Sequence, residues 1–494
     1  MHKSVGILAI TGLALSLGFA LTACRQDSYP SHNPDAVHLC EEGTADLHAF
    51  RFKDAVDKLG DCLDLDPDLA EAAIARSTAY ANLQDSANAR RELARADSLT
   101  AEMTDVRRRL MAQLRLSRIP SSRFSAMGDS LRDRMSRQEP DNFYVLESLA
   151  EHAEASGDPV AAIAIWERIL TINPNHVAAY NKLGYLELNR GAYDMALEQL
   201  QKYIFLAPDL ANPHDSYGEV LLTLGRYEEA EVEFRTSLRM QPDFYPSLVN
   251  LGRSYLARGK VAKGTAVLDK VRQQIAGTEA ERDVDLKILT TYLVTEQPQQ
   301  LAAASRSYVG RYPSATLTPL LRCLILAGEG QTPAGFAVMD SALAARRASS
   351  HYHNSARART ATEVFASQYE GWRQDLLGNP AEAAEAWHRA IELIASTTPY
   401  HEQFFYRSRL AGSLLGAGSP DKALAEIEAM LAVNPRLINV LVLKVEAQLE
   451  RQDQQQAAAA KDQLDWALSS ADPDYAPRVR TSEFAVRIAG LSHR

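Results

Sequence analysis

Pro140, Pro174, Pro208 and Pro242 stand 34 residues apart, three times in succession. Gly157, Gly191, Gly225 and Gly259 keep the same step. So do Ala162, Ala196 and Ala230, with Gly264 in the fourth place. Three residue classes locked to one period require a single structural unit used repeatedly. The 494-residue length therefore counts copies of a unit rather than unrelated domains.

The chemistry of each position defines that unit. Between glycine and proline runs a pattern such as Ala162, Ile165, Trp166 and Ile169, apolar at i, i+3, i+4 and i+7, which is the face of an amphipathic helix. Proline stops the helix, because it lacks an N–H and clashes with the preceding turn. Asp141, Asn175, Asp209 or Asp243 comes next and predicts an N-cap for a second amphipathic stretch. That stretch ends near the next glycine, which supplies a left-handed turn. Small Ala and Gly positions let the two helices approach closely, so each unit is a helical hairpin. Trp166, Trp387 and Trp466 occupy or approach the large-residue place on second helices, which predicts core packing for all three.

Residues 177–210 carry Tyr180, Leu183, Gly184, Ala196, Leu200 and Pro208. Residues 211–244 carry Tyr217, Gly218, Leu221, Ala230, Phe234 and Pro242. This pattern resembles the tetratricopeptide repeat family. The resemblance is specific over 143–278 and looser across about 36–471, where Gly330, Gly378 and Gly418 hold the turn position in three further units. It implies an all-α, right-handed superhelical solenoid of stacked helical hairpins. The resulting organisation is a signal at 1–23, a polar tether at 24–35 and degenerate repeats over 36–142. Four clear repeats cover 143–278, degenerate hairpins 279–363, further repeats 364–471, and a tail or capping helix 472–494.

The amino terminus addresses the compartment. His2 and Lys3 precede an apolar run from Val5 to Ala20, then Leu21-Thr22-Ala23-Cys24. A weakly basic start, a short apolar core and small residues form an export signal, with an uncleaved membrane helix as the alternative. The end of the run resembles the lipobox of bacterial lipoproteins, which implies lipidation at Cys24. Arg25, in the place where Asp favours inner-membrane retention in enterobacterial lipoproteins, leans toward the outer membrane. Cys40 and Cys62 lie at positions 5 and 27 of one repeat, near the open end of its hairpin, and a disulfide there would staple the first unit. The alternative is two free buried thiols. Cys323 reads as a small core residue.

Lys plus Arg is 53 against 63 for Asp plus Glu, so the charge is −10, and −11 once Lys3 leaves with the signal. That balance argues against wrapping nucleic acid. No His-Glu-x-x-His is present, since His401-Glu402 is followed by Gln403-Phe404-Phe405, and no nucleophile elbow or phosphate loop was found. His351-Tyr352-His353 reads as a solvated loop rather than a metal site. No cofactor is expected.

In the family resembled, the first helix of each pair lines a concave groove that binds a peptide or helix of a partner. The matching positions here are Tyr144, Glu147, Glu151 and Glu154, then Asn181 and Tyr185, Asp215 and Glu219, and Arg253. Their mostly acidic character predicts a basic or amide-rich partner segment, the alternative being a plain solvated acidic face. The expected function is a non-enzymatic, lipid-anchored scaffold in the bacterial cell envelope. The alternatives are an envelope hydrolase that uses the repeats to hold substrate, and a small-ligand carrier.

Overall fold

A computed structural model describes residues 29–48, 51–83, 85–119, 122, 124–278, 280–295 and 297–491. Among them are 26 α-helices and no strand. Consecutive helices pair into hairpins and the hairpins stack, from Pro34–His48 with Phe52–Leu65 to the closing helix Ala476–Leu491. The fold is a superhelical solenoid of stacked helical hairpins. The proposed signal and Cys24 lie outside the described residues. Among the described residues no helix is long and apolar enough to cross a membrane.

The punctuation of the repeat is physical. Gly157, Gly191, Gly225, Gly259, Gly330, Gly378 and Gly418 all turn the chain at φ between 69° and 82°. One period beyond Gly418, Gln452 adopts φ 58°, a non-glycine residue held in the left-handed region by its hairpin. Second helices end at Ile172, Leu206 and Met240, two residues before each proline. Ala162, Ala196, Ala230, Trp166, Phe234 and Trp387 are fully buried between paired helices.

Three sequence expectations are corrected. The residues after each proline do not cap the next helix. Helices begin at Phe143, Val177, Ala211 and Tyr245, so the N-cap places fall to Asn142, His176, Leu210 and Phe244. Only Asn142 and His176 of these four accept from a backbone N–H, because the Leu210 and Phe244 side chains have no acceptor atom. Trp466 is not core: it is 55% exposed, with the Arg436 guanidinium 5.0 Å from its ring. His351, Tyr352 and His353 sit on a one-turn helix, Ser350–Asn354, rather than in a loop. Cys40 and Cys62 form a disulfide across the first hairpin, with Cα atoms 5.5 Å apart, and Cys323 is buried and free.

The winding brings distant hairpins together. Asn434 Nδ2 donates to Tyr227 Oη at 3.2 Å across 207 residues, about six repeats. Arg436 forks onto both carboxylate oxygens of Glu228 and lies 5.0 Å over the Tyr227 ring. One period on, the Asp472 N–H donates to the Gly259 carbonyl at 3.0 Å, and Asp472 Oδ2 accepts from the Ala262 N–H. Tyr475 Oη then donates to the Thr295 carbonyl at 2.9 Å. Nearer the amino end Phe52 packs on Ala211 and Phe244. In each case the turn inside a hairpin meets the connection between two later or earlier hairpins, so successive superhelical turns touch.

Gly225 serves both the turn and this contact. A Cβ there would collide with Asn434 Oδ1, whereas around Gly418 nothing lies within 4 Å. Gly418→Ala should cost about 1–2 kcal/mol from the left-handed backbone alone. Gly225→Ala should cost more and also enlarge the radius of gyration. Urea titration and small-angle X-ray scattering of the two variants check this, and equal losses with equal radii would contradict the inter-turn role.

Candidate functional site

The residues expected to line a groove lie on the first helices of the central hairpins, Phe143–Ser156, Val177–Asn189, Ala211–Thr223 and Tyr245–Ala257. Their polar side chains fall into two networks rather than one acidic strip.

The first network surrounds the carboxylates of Phe143–Ser156, although both Glu147 oxygens are buried without a hydrogen-bond partner among the described residues. Glu147 is fully buried, 3.3 Å from His176 Nε2 and 3.9 Å from Arg118. Arg118 also bridges to Glu151. Glu154 accepts from Trp166 Nε1 at 2.8 Å and pairs with Lys182 at 3.3 Å. Tyr144 is half-buried under the Arg115 guanidinium, 5.3 Å away. A buried carboxylate needs such partners, since desolvation without them costs several kcal/mol. These four residues therefore hold adjacent hairpins together, and their acids are not presented as free charge.

The second network is nearer a binding site. Tyr185 Oη donates to Glu219 at 2.9 Å, and Arg253 approaches the same carboxylate at 3.6 Å. Arg253 also donates to Asn250 Oδ1, whose amide nitrogen donates to Asp215 at 3.2 Å. Ser247 Oγ donates to Asp215 at 2.7 Å. Burial pushes the Tyr185 phenol well above its ordinary value, helped by the Glu219 charge. Burial, then the Glu219 charge, raises the Asp215 carboxyl to about 7. Asn181, one turn before Tyr185, is fully buried, and neither of its amide atoms has a hydrogen-bond partner among the described residues. Of the nine expected groove positions, Tyr185, Asp215, Glu219 and Arg253 form one connected set.

A contributor absent from the sequence reading crosses from the next superhelical turn. The connection between helices Pro380–Ile394 and Phe404–Gly416 contains a 3-10 turn, Tyr400–Gln403. Burial lowers the His401 imidazole to about 4, with Glu219 opposing and Arg253 reinforcing the shift. Burial and the Glu219 charge raise Glu402 to about 7. The turn thus faces Glu219 and Arg253, and His401 Nδ1 and Tyr400 Oη are buried without hydrogen-bond partners among the described residues. The only sequence signal was the length of this connection, nine residues against four between the central hairpins. Among the described residues no group of three His, Cys, Asp or Glu side chains could hold a metal.

The arrangement can accept and donate hydrogen bonds along a polar wall, with Asp215 and Glu402 able to change charge near neutrality. Asp215 titrates near 3.9 unfolded and about 7 folded. The folded state keeps the extra proton between those values, so this group's contribution falls as pH rises from about 4 to about 7. Glu402 runs the same way, while His401, depressed when folded, removes stability as pH falls from about 6.5 to about 4. Asp215→Asn should therefore gain on the parent chain between pH 5 and pH 8, by on the order of a few kcal/mol. Urea midpoints at the two values check it, and a pH-independent gap would contradict the assignment.

A family profile described as tetratricopeptide repeat matches residues 147–211 and 218–277. Superkiller complex protein 3 of Mus musculus is 32% identical over 107 residues, which is 22% of this chain and 7% of that protein. Its Homo sapiens counterpart is 27% identical over 107 residues, with the same shares covered. The chain thus matches only a small part of either relative's length. Among solved structures, the APC/C hetero-tetramer Cut9-Hcn1 aligns over 92% of this chain and 84% of that chain, with TM-score 0.46 and 13% identity. PilW, described as a type IV pilus biogenesis factor, aligns over 45% and 98%, with TM-score 0.35 and 19% identity. The chain carries tetratricopeptide repeats, matched over 147–211 and 218–277 within its solenoid of helical hairpins.

Proposed function

We propose that the protein is a non-catalytic scaffold that holds a segment of a partner protein against the polar wall of its first helices. The observation that carries this reading is the Tyr185–Glu219–Arg253 set, in which the Glu219 and Arg253 side chains stay partly exposed while bonded to each other's neighbours. Glu219 can accept from a partner's N–H groups and Arg253 can donate to its carbonyls. With Glu147, Glu151 and Glu154 set against Arg118, His176 and Lys182, and Asp215 and Glu402 raised toward neutrality by burial, the accessible carboxylate left to select a partner is Glu219. A basic or amide-rich segment suits that remainder.

The export signal and Cys24 support a lipid anchor in the bacterial cell envelope, facing the periplasm and favouring the outer membrane. The Cys40–Cys62 disulfide suits an oxidising compartment. Two measurements separate anchoring from binding. Cys24→Ala should move the chain from the membrane to the soluble fraction and abolish palmitate labelling. Arg253→Gln with Glu219→Gln should lower in-cell cross-linking to envelope proteins by about tenfold, equivalent to about 1.4 kcal/mol, while circular dichroism stays unchanged. Undiminished cross-linking by the folded double variant would remove this wall as the binding surface.

A further inference from the structure

The hairpin that departs most from the repeat leaves an open groove between its helices. Val106–Ser117 and Gly128–Gln138 are joined by ten residues, 118–127, where the central hairpins use two or three. The two helices accordingly pack less closely than those of other pairs. Between them is a cavity of about 630 Å³. One wall is Val106, Arg109, Leu110 and Gln113, spaced i, i+3, i+4 and i+7. The other repeats that spacing with Met127, Ser130, Leu131 and Arg134. Leu110, Leu131 and Phe124 form a buried apolar floor, while Val106 and Met127 stand at the lip, 51% and 43% exposed.

Charge singles out the rim. Arg107, Arg108, Arg118, Arg132 and Arg137 in the same region each bridge to a carboxylate: Glu139, Glu71, Glu151, Asp129 and Asp133. Arg109 and Arg134, which line the groove, have no carboxylate partner among the described residues, and neither does Arg115, which lies over the Tyr144 ring instead. Arg109 makes only a bond to the Met103 carbonyl, at 3.0 Å. Two unneutralised guanidinium groups thus flank an apolar floor, on a chain whose net charge is −10.

We propose that this groove docks an amphipathic helix of a partner protein, with an apolar ridge at i, i+3, i+4 and i+7 and carboxylates on its flanks. Walls that are themselves helices with that spacing offer ridges and grooves for a third helix to seat between. Walls of 12 and 11 residues match an occupant of about three turns, roughly 17 Å at 1.5 Å per residue. The rim arginines read carboxylates as forked, bidentate donors. The site is separate from the polar wall and does not depend on the reading given to it.

The test uses the full chain carrying Cys24→Ala. The probe is a fluorescein-labelled, amidated 14-residue peptide with Leu at positions 3, 6, 7 and 10 flanked by Glu. Fluorescence anisotropy should show saturable binding. Arg109→Glu with Arg134→Glu should weaken it at least about tenfold, and a Lys-flanked version of the peptide should recover affinity for that double variant. Val106→Ser with Met127→Ser should weaken both pairings, and as exposed lip residues they should leave thermal unfolding in place. Absence of saturable binding, or equal affinity of the parent chain for the Glu- and Lys-flanked peptides, overturns the proposal. So does displacement of the peptide by dodecanoate at lower concentration than by unlabelled peptide, which would assign the groove to an acyl chain. Concentration-dependent self-association lost in the arginine double variant would assign it to a second copy, and equally overturns it.

Discussion

Asn434 and Arg436 meet Tyr227 and Glu228 across about six repeats, and the winding of the whole solenoid depends on that contact. A stack of hairpins is otherwise held only by neighbours, so small errors in each junction accumulate along its length. Here the chain checks its own pitch. The Asp472–Gly259 and Tyr475–Thr295 bonds repeat the contact one period on, and Phe52 against Ala211 and Phe244 supplies its apolar counterpart. The turn glycines at 225 and 259 combine two requirements at these seams. The backbone must reverse in the left-handed region, and the opposing loop must approach closer than any side chain allows.

Closing the seams changes the chemistry of the first-helix faces. Carboxylates that would be solvated in an open trough are buried beside other charges, so they are paired, as Glu147 is with His176, or pushed toward neutrality, as Asp215 and Glu402 are. The polar wall is therefore less negative than its residue types imply. Selection of a partner then rests more on matched hydrogen bonds than on net charge, because an unmatched buried polar atom discriminates more strongly than a screened ion pair.

What was legible in the sequence follows from distance along the chain. The hairpin, its glycine turn and its terminating proline are set within 34 residues and repeat, so periodicity exposes them. Asp141 and its equivalents misled because Pro-Asp begins a turn that delays the helix by one more residue. Glu147, Asp215 and Glu219 were correctly placed on first helices. Their partners Arg118, Ser247 and Asn250 come from neighbouring hairpins, and residue spacing within one repeat carries no trace of them. Trp466 and the Tyr400–Gln403 turn failed for a stronger form of the same reason. Trp466 lies against Arg436, which the inter-turn seam holds, and His401 faces Glu219 from 182 residues away. Neither distance has a period to betray it.

Departure from the repeat is informative in its own right. Where the 34-residue register holds, each hairpin's apolar faces are covered by the partner helix and the next hairpin. Between Val106 and Gln138 the register fails and the ten-residue connection holds the two helices apart, so their facing ridges are left over an exposed lip at Val106 and Met127. Natural surfaces seldom leave an apolar groove rimmed by unpaired arginines unless something covers it. The regular repeats thus carry the polar set of Tyr185, Asp215, Glu219 and Arg253, and the irregular hairpin carries a separate groove between its two helices, so the two proposed surfaces share no residue.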